Sequence, residues 1–154
     1  MNVEVRQALL DEQLLIKDLI GPYIEELDQF EERSGGYNLL RSVDLSDSDR
    51  VPFTIWASGQ LVGFALVRRI TMQTEPAMEV EEFYVRPEFQ RQGIGTAAAI
   101  EVWKKFPGKW VAEVTKKNPA SSFWRKCIEG NSKLLGTEEF RTPGGWRFRF
   151  LFEV

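Results

Sequence analysis

A strand end, a polar loop and a helix start follow one another in the middle of this chain. The apolar run Phe83–Val85 predicts the end of a strand, and Pro87 stops it. Polar residues then lead to Gly93-Ile94-Gly95, and the alanine-rich run 97–100 behind these glycines predicts a helix. The first N–H groups of a helix lack intrahelical partners and the helix dipole is positive there, so such a start favours an anion. Because glycine has no Cβ, a bulky anion can approach the main chain closely. The segment therefore predicts a pyrophosphate site.

The residues of this loop also match a known motif. The loop reads Gln90-Arg91-Gln92-Gly93-Ile94-Gly95, with Val85-Arg86-Pro87 in front of it. This pattern resembles the acyl-CoA loop of the GNAT superfamily of N-acetyltransferases, whose motif is (Gln/Arg)-x-x-Gly-x-(Gly/Ala) after a strand that ends in Val-x-Pro. The resemblance extends, more loosely, over residues 52–127. An ordinary glycine-containing helix start is the alternative interpretation.

The composition is typical of one soluble globular domain. The chain has 154 residues, of which 43% are hydrophobic and 28% charged, and this length is enough to bury a core without disulfides or metals. We therefore expect a single domain over residues 1–154. No run of apolar residues approaches the ~18–20 that a membrane span needs, and the N-terminus lacks a signal-peptide pattern. These features predict a cytoplasmic protein with no membrane partner.

Two residue types limit the chemistry. The single cysteine excludes an intramolecular disulfide and a cysteine-rich metal site, and the absence of histidine excludes His-ligated zinc and the Ser-His-Asp and Cys-His arrangements. We therefore expect no metal, and proton transfer must use carboxylates, tyrosine, lysine, the thiol or water. The net charge of −3 and the pI near 5.2 argue against nucleic acid as a partner.

Periodicity and chain breakers predict the order β-α-α-β-β-β-α-β-α-β-β. The predicted elements are a first strand through Val3, Val5 and Gln7; a helix from an Asp11 N-cap to a break at Gly21-Pro22; a helix over Tyr23–Arg33; a hairpin of 52–57 and 61–67 with a turn at Ser58-Gly59; a strand over Ala77–Val85; a helix over Gly93–Phe106; a strand over Lys109–Thr115; a helix from Asn118-Pro119 to Ile128; and a closing hairpin of 133–140 and 146–152.

This order matches the GNAT superfamily, and the resemblance implies the fold. It implies a mixed α/β (α+β) domain with a central mixed, mostly antiparallel sheet of six to seven strands, flanked by about four helices, in which the fourth strand splays from the fifth. It also implies acetyl-CoA as co-substrate and an amine as acceptor, and it allows a homodimer.

The resemblance assigns the residues that bind the co-substrate. In this family the pantetheine arm lies in the splay and pairs with the free main chain of the fourth strand, which here gives Phe83, Tyr84 and Val85. Asn118 matches an asparagine that touches the arm, although a helix-cap role suits Asn-Pro equally well. The residues assigned to the loop that binds the pyrophosphate are Gln90, Arg91, Gln92, Gly93, Ile94, Gly95 and Thr96.

Three carboxylates accompany the proposed thioester site. Attack of an amine on a thioester requires a base for the ammonium proton, and the fourth strand carries Glu79, Glu81 and Glu82. Strand alternation places Glu79 and Glu81 on one face and Glu82 on the other unless a bulge intervenes. Glu81-Glu82 resembles an acidic pair of polyamine-type relatives, and Glu79 resembles the base of the histone-type branch. We predict Glu81 or Glu82 as the base, directly or through water, or as the anchor of the amine; exposed strand residues without a chemical role are the alternative.

The chain departs from the family pattern at the general acid. Many relatives have Asn…Ala-x-x-x-Tyr after the fifth strand, with the tyrosine protonating the thiolate. Aligning Ala120 with that alanine puts Trp124 at the tyrosine position, and an indole is no useful acid. Tyr84, Cys127 or solvent could substitute, with Tyr84 our catalytic candidate, or the thiolate could leave unaided. Cys127 is expected to be a small buried apolar residue.

Three hypotheses about the function remain. The first is an acetyl-CoA-dependent N-acetyltransferase acting on a primary amine of a small, polyamine-like molecule or of a protein. The acidic cluster at 25–32 is either a solvated helix face or a surface that attracts a cationic acceptor. The second is a non-catalytic acyl-CoA-binding or partner-binding domain. The third, a dinucleotide site at Gly93-x-Gly95-x-x-Ala98, is disfavoured because the strand ends well before Gly93.

Overall fold

A seven-stranded sheet forms the centre of the computed structural model, which describes residues 2–154. The strands are β1 (Val3–Gln7), β2 (Arg50–Ala57), β3 (Gln60–Met72), β4 (Glu75–Val85), β5 (Lys109–Thr115), β6 (Lys133–Thr142) and β7 (Gly145–Glu153), and the helices are α1 (Leu10–Asp28), α2 (Ile94–Lys104) and α3 (Ala120–Asn131). The strand order is β1-β2-β3-β4-β5-β7-β6, and β4 and β5 form the parallel pair among antiparallel neighbours. The predicted fold class is confirmed.

The first helical region differs from the prediction. Gly21-Pro22 does not break the helix, and α1 runs continuously through Pro22. The N-cap of α1 is Leu9 rather than the predicted Asp11. The separate helix predicted over Tyr23–Arg33 is therefore wrong, and the described residues form three α-helices rather than about four. An internal proline costs about 3 kcal/mol, whereas each fully buried large apolar side chain contributes about 1.5–3 kcal/mol. The buried side chains that continue across the proline are Ile16, Ile20, Tyr23 and Ile24.

The hairpin between β2 and β3 turns as predicted. Ser58 and Gly59 both have positive φ angles, of 50° and 81°, and Ala57 pairs with Gln60. A two-residue turn with both residues in this region follows the natural twist of the two strands. The turn brings β3 beside β2 and thereby fixes the position of β4.

The two faces of the sheet pack different cores. Trp103 of α2, Trp110 of β5 and Phe152 of β7 belong to one apolar cluster, in which the Trp103 and Phe152 ring centroids lie 5.0 Å apart. The other cluster joins α1 to Phe64 and Leu66 of β3. Across residues 2–154, no helix combines the length and the apolar character needed to cross a membrane.

β4 and β5 separate along the second half of β4. Their parallel pairing covers Met78–Val80 against Trp110–Ala112, whereas residues 82–85 of β4 pair with β3 alone. The edge of β4 that faces β5 is therefore open from residue 81 onward. This is the splay that the resemblance implied, and the candidate site lies in it.

Candidate active site

A bulge in β4 places its carboxylates together. Leu66 of β3 pairs with Glu82 and the next residue, Val67, pairs with Val80, so Glu81 is the extra residue. Glu81 then reaches Arg50 of β2, and Glu82 reaches α1. The strict alternation that would have put Glu82 on the opposite face does not hold, and Glu79, Glu81 and Glu82 line the same cavity.

That cavity has a volume of about 720 Å³ and fills the splay between β4 and β5. We call one part of it the carboxylate half and the part lined by the loop before α2 the loop half. The carboxylate half is lined by Tyr23, Tyr37, Glu79, Glu81, Glu82, Glu113 and Arg147. The predicted site residues that line it are Glu81, Glu82, Phe83, Tyr84, Val85, Gln90, Arg91, Gly93, Gly95, Thr96 and Asn118.

The loop half contains the turn into α2. Gly93 is the N-cap with a φ of +81°, and no heavy atom lies within 4 Å of the position that a Cβ would take there. At Gly95 a Cβ would lie 3.1 Å from the Phe123 ring, so this site also favours glycine. Gln90 donates from Nε2 to the carbonyl oxygen of Val85 over 2.7 Å and to Glu26 over 3.0 Å. The loop is thereby attached to the end of β4 and to α1.

Three of the assigned residues use their side chains for structure. Gln92 donates from Nε2 to the Glu88 carbonyl oxygen over 3.2 Å, and Ile94 is buried in the core. Their side chains lie away from the cavity, so a contact with an anion would have to use their backbone N–H groups. Asn118 lines the cavity, and its Oδ1 accepts a hydrogen bond of 2.9 Å from the backbone N–H of Ala120. Its side-chain oxygen therefore binds the first residue of α3.

Glu82 has an environment suited to proton transfer near neutral pH. Tyr23 donates from its hydroxyl to Glu82 Oε1 over 2.8 Å. Burial, reinforced by the charges of Glu81 and Glu79, raises the pKa of Glu82 to about 7, and the Tyr23 hydrogen bond and Arg147 oppose this rise. Burial and the neighbouring Glu82 also raise the pKa of Tyr23 well above its ordinary value, so Tyr23 remains a donor.

The other two carboxylates differ from Glu82. Glu81 accepts two hydrogen bonds from Arg50, of 2.6 and 3.1 Å, and also lies 3.8 Å from Arg68. Burial raises the pKa of Glu79, and the charges of Glu113 and Glu81 add to this rise. Glu81 is thus a paired carboxylate, whereas burial makes Glu79 and Glu82 costly to ionise.

Tyr84 lies under α1 rather than beside the three carboxylates of β4. Its ring packs against Tyr23 and Phe64, with centroid separations of 5.3 and 6.0 Å. Burial raises the pKa of its hydroxyl, and Glu26 and Glu88 are the nearby charges that contribute most to this rise. The hydroxyl therefore stays protonated at neutral pH.

Trp124 and Cys127 both lie on α3 and pack in the hydrophobic core of the protein. Trp124 is 7% exposed and meets Phe83 edge to face, with ring centroids 5.0 Å apart. Cys127 is also buried, and burial raises the pKa of its thiol to about 11 despite a hydrogen bond from Thr96. A thiol in this environment is a weak acid and a poor nucleophile.

The sequence did not indicate three residues of the carboxylate half. Tyr23, Tyr37 and Arg147 line it, and Arg147 donates from Nη2 to Glu31 over 3.0 Å and to the Tyr37 hydroxyl over 3.1 Å. These contacts join residues 116 and 110 positions apart, which no local spacing reveals. The one available signal was charge, since an acidic cluster at 25–32 and a basic cluster at 141–149 stand at opposite ends of the chain.

Comparisons with known proteins agree on one family. The model of the acetyltransferase (GNAT) family matches residues 13–127, which include most of α1, the bulged β4 and the loop. A search of curated proteins gave no match.

Solved structures show the same fold. A proposed GNAT-family acetyltransferase from Desulfovibrio desulfuricans aligns with a TM-score of 0.68 at 17% identity, covering 99% of each chain. The ribosomal-protein-S5-alanine acetyltransferase of Vibrio fischeri aligns with a TM-score of 0.67 at 18% identity, over 100% of this chain and 93% of that one. A phosphinothricin acetyltransferase from Sinorhizobium meliloti, in complex with AcCoA, aligns with a TM-score of 0.64 at 17% identity, over 100% and 88%.

Proposed function

Because this chain belongs to the GNAT acetyltransferase family, we propose that it moves the acetyl group of acetyl-CoA to the nitrogen of a primary amine. The observation that carries this proposal is the partly buried Glu82 carboxylate in the cavity between the splayed strands, hydrogen-bonded to Tyr23. A carboxylate that titrates near neutral pH is suited to remove a proton from an ammonium group.

The residues present fit acetyl-CoA, which supplies an activated thioester. The open edge of β4 beyond residue 81 offers unpaired main chain to an extended, amide-containing arm. The free space at Gly93 and the N-terminus of α2 suit a pyrophosphate. Phe83, Tyr84 and Val85 would hold the arm, and the segment 90–96 would hold the phosphates.

Glu82 acts as the base in this proposal. In its ionised form it accepts one proton from the bound ammonium at the oxygen that Tyr23 does not occupy, and the freed lone pair on nitrogen can then attack the carbonyl carbon of the thioester. The C–S bond breaks as the C–N bond forms; solvent takes the second proton of the nitrogen and returns a proton to the group that protonates the sulfur. Tyr23 orients the carboxylate through its hydrogen bond of 2.8 Å. Tyr84 lines the same cavity and keeps its proton at neutral pH, so it is the proposed proton donor to the departing sulfur.

The acceptor is proposed to carry positive charge near the reacting amine. Glu79 and Glu82 line the cavity and form no ion pair within residues 2–154, whereas Glu81 and Glu113 are paired with arginines. A cationic group beside the two unpaired carboxylates would offset the cost of their burial. This favours small polyamine-like amines or the side chain of a protein lysine.

Free-thiol release from acetyl-CoA tests the proposal directly. The protein is assayed with a panel of cationic, neutral and acidic amines, with the Glu82→Gln variant as the matched control. We expect amine-dependent thiol release that is fastest with cationic amines and strongly reduced in the variant. Binding of acetyl-CoA without transfer to any amine would instead favour the non-catalytic acyl-CoA-binding domain.

A further inference from the structure

A buried ion pair lies behind the carboxylate half of the cavity. The Glu31 side chain is only 2% exposed and forms an ion pair of 3.0 Å with Arg147. The same carboxylate oxygen, Oε1, also accepts hydrogen bonds from the hydroxyl groups of Tyr37 and Thr115, the second over 2.8 Å. Arg147 lines the cavity and donates from Nε to Thr142 over 3.3 Å. Glu31 thus holds a guanidinium in one place at the wall of the cavity.

The turn between β6 and β7 is shaped to admit Glu31. A Cβ at Gly144 would overlap Glu31 Oε2, so only glycine leaves room for the carboxylate there. The backbone N–H of Glu32 donates to the Gly144 carbonyl oxygen over 2.9 Å. Together these contacts hold the segment that follows α1 against the turn and keep Glu31 beside Arg147.

The ion pair decides the charge that a ligand meets. Most charged groups lining the carboxylate half are already neutralised: Glu81 by Arg50, Glu113 by Arg149 at 2.7 Å, and Arg147 by Glu31. The ion pairs of the described chain include neither Glu79 nor Glu82. The remaining charge of this half is therefore negative, and it would become less negative if Glu31 no longer cancelled the charge of Arg147.

We propose that Glu31 is a positioning residue that determines acceptor specificity: by holding and neutralising Arg147, it makes the cavity select amines that carry a second positive charge over amines that carry a carboxylate. This inference rests on the proposed function. Without the Glu31 charge, the guanidinium of Arg147 would stand at the cavity wall as an anchor for a carboxylate, a geometry for which arginine is well suited.

Two acceptors of equal chain length test the inference. Putrescine carries a second ammonium where γ-aminobutyrate carries a carboxylate, so the ratio of their kcat/KM values reports the charge of the site. We expect the wild type to prefer putrescine and Glu31→Gln to lower that ratio about tenfold, the order of magnitude for one unpaired charge in a partly buried site. Glu32→Gln is the matched control, because Glu32 pairs with Arg141 on the surface at 2.7 Å, and it should keep the wild-type ratio.

Further variants separate charge from a loss of structure. Arg147→Gln should leave the ratio at or above the wild-type value, and the double variant Glu31→Gln/Arg147→Gln should restore the wild-type ratio, because it removes both charges. Gly144→Ala, which displaces Glu31 by volume alone, should lower the ratio as Glu31→Gln does. Gly136→Ala is its control in β6, where a Cβ meets no atom within 4 Å.

The outcomes distinguish this inference from the proposed function. Calorimetry with acetyl-CoA first establishes that each variant is folded and binds the co-substrate. If the wild type acetylates no amine, the proposed function fails. If the wild type is active but prefers γ-aminobutyrate, or if folded Glu31→Gln and Gly144→Ala variants keep its ratio, only the role of Glu31 is overturned. A double variant as unselective as Glu31→Gln would also overturn it, since the effect would not then come from the freed charge.

Discussion

Tyr23 donates a hydrogen bond of 2.8 Å to Glu82, and this bond joins the middle of α1 to the bulge in β4. Tyr23 is buried and Glu82 is partly buried, and the phenol stays protonated because burial raises its pKa. The bond stabilises the ionised form of Glu82 and so limits the rise in pKa that burial causes. The basicity of the proposed base therefore depends on a helix that is distant in sequence.

Replacing Glu82 by glutamine should remove most of the activity. Glutamine keeps the shape and can still accept the Tyr23 hydrogen bond, but it cannot take a proton. We expect kcat to fall by roughly 10²-fold or more, the range for loss of a general base, while acetyl-CoA still binds in calorimetry. Glu81→Gln should cost much less, because the Glu81 carboxylate is held by Arg50. An equal loss in both variants would point to a shared role of the pair.

The Tyr23→Phe variant should shift the pH dependence of catalysis. The base must be ionised, so kcat/KM of the wild type should rise with pH through about 7, the pKa of buried Glu82. Phenylalanine keeps the ring packing against Phe64 but removes the hydrogen bond that lowers this pKa. The rising limb should therefore move to higher pH. A limb that stays in place, or moves to lower pH, would contradict the role assigned to Tyr23.

The sequence predicted the elements whose signals are local. Ser58-Gly59 favours a two-residue turn, and the hairpin forms there. β5 covers the predicted residues Lys109–Thr115, because Asn118 and Pro119, which follow it, are local signals for the end of a strand. The loop before α2 was likewise predicted from its glycines, and Gly93 has the left-handed conformation that favours this residue.

The features that the sequence did not predict depend on distant contacts. Pro22 is a local signal for a break, but the apolar face of α1 packs against Phe64 and Leu66 and outweighs it. The bulge at Glu81 appears only when β4 is paired with β3, and no spacing within the Glu79–Glu82 segment reveals it. The contact between Glu31 and Arg147 spans 116 positions. The acidic cluster at 25–32 and the basic cluster at 141–149 were the only signs of it in the sequence.

Glu82 should also limit the stability of the protein at neutral and alkaline pH. Its folded-state pKa of about 7 lies above the ordinary value of 4.5, so the folded state binds the proton more tightly than the unfolded state. The stabilising contribution of protonated Glu82 is fully present below pH 4.5 and is lost as the pH rises through about 7. At 1.36 kcal/mol for each pKa unit, the loss is about 3 kcal/mol.

Thermal unfolding of Glu82→Gln measures this cost. The variant should melt at a higher temperature than the wild type at about pH 8, where the buried carboxylate is ionised, and the difference should shrink towards about pH 5. Glu138→Gln, at an exposed site on β6, is a control for the general loss of a negative charge. A variant that is less stable than the wild type at both pH values would show that Glu82 is not penalised by burial.

The proton donor to the sulfur can be identified with three substitutions. Trp124→Phe should leave kcat nearly unchanged, since Trp124 packs against Phe83 and carries no useful acid. Cys127→Ala should also retain kcat, because burial raises the pKa of this thiol to about 11 and the side chain lies in the core. Tyr84→Phe should lower kcat by roughly 10²-fold with acetyl-CoA affinity retained. If Tyr84→Phe kept full activity, the remaining explanations would be protonation of the sulfur by solvent or departure of the thiolate without a proton.

Two glycines with the same conformation provide a controlled test of the loop. Gly93 and Gly59 both have a φ of +81°, and at neither does a Cβ meet a heavy atom within 4 Å. Substitution therefore imposes the same backbone strain at both positions, of order 1–2 kcal/mol. Gly93 lines the cavity at the start of α2, whereas Gly59 lies in the turn between β2 and β3.

Gly93→Glu should abolish binding of acetyl-CoA, and Gly59→Glu should not. At Gly93 the new side chain would fill the space proposed for the pyrophosphate and bring a negative charge to it, whereas at Gly59 it would extend from a turn. The two alanine variants separate strain from charge: both should lose similar stability in thermal unfolding. Calorimetric titration with acetyl-CoA measures the affinities. A folded Gly93→Glu variant that binds acetyl-CoA like the wild type would show that the pyrophosphate lies elsewhere.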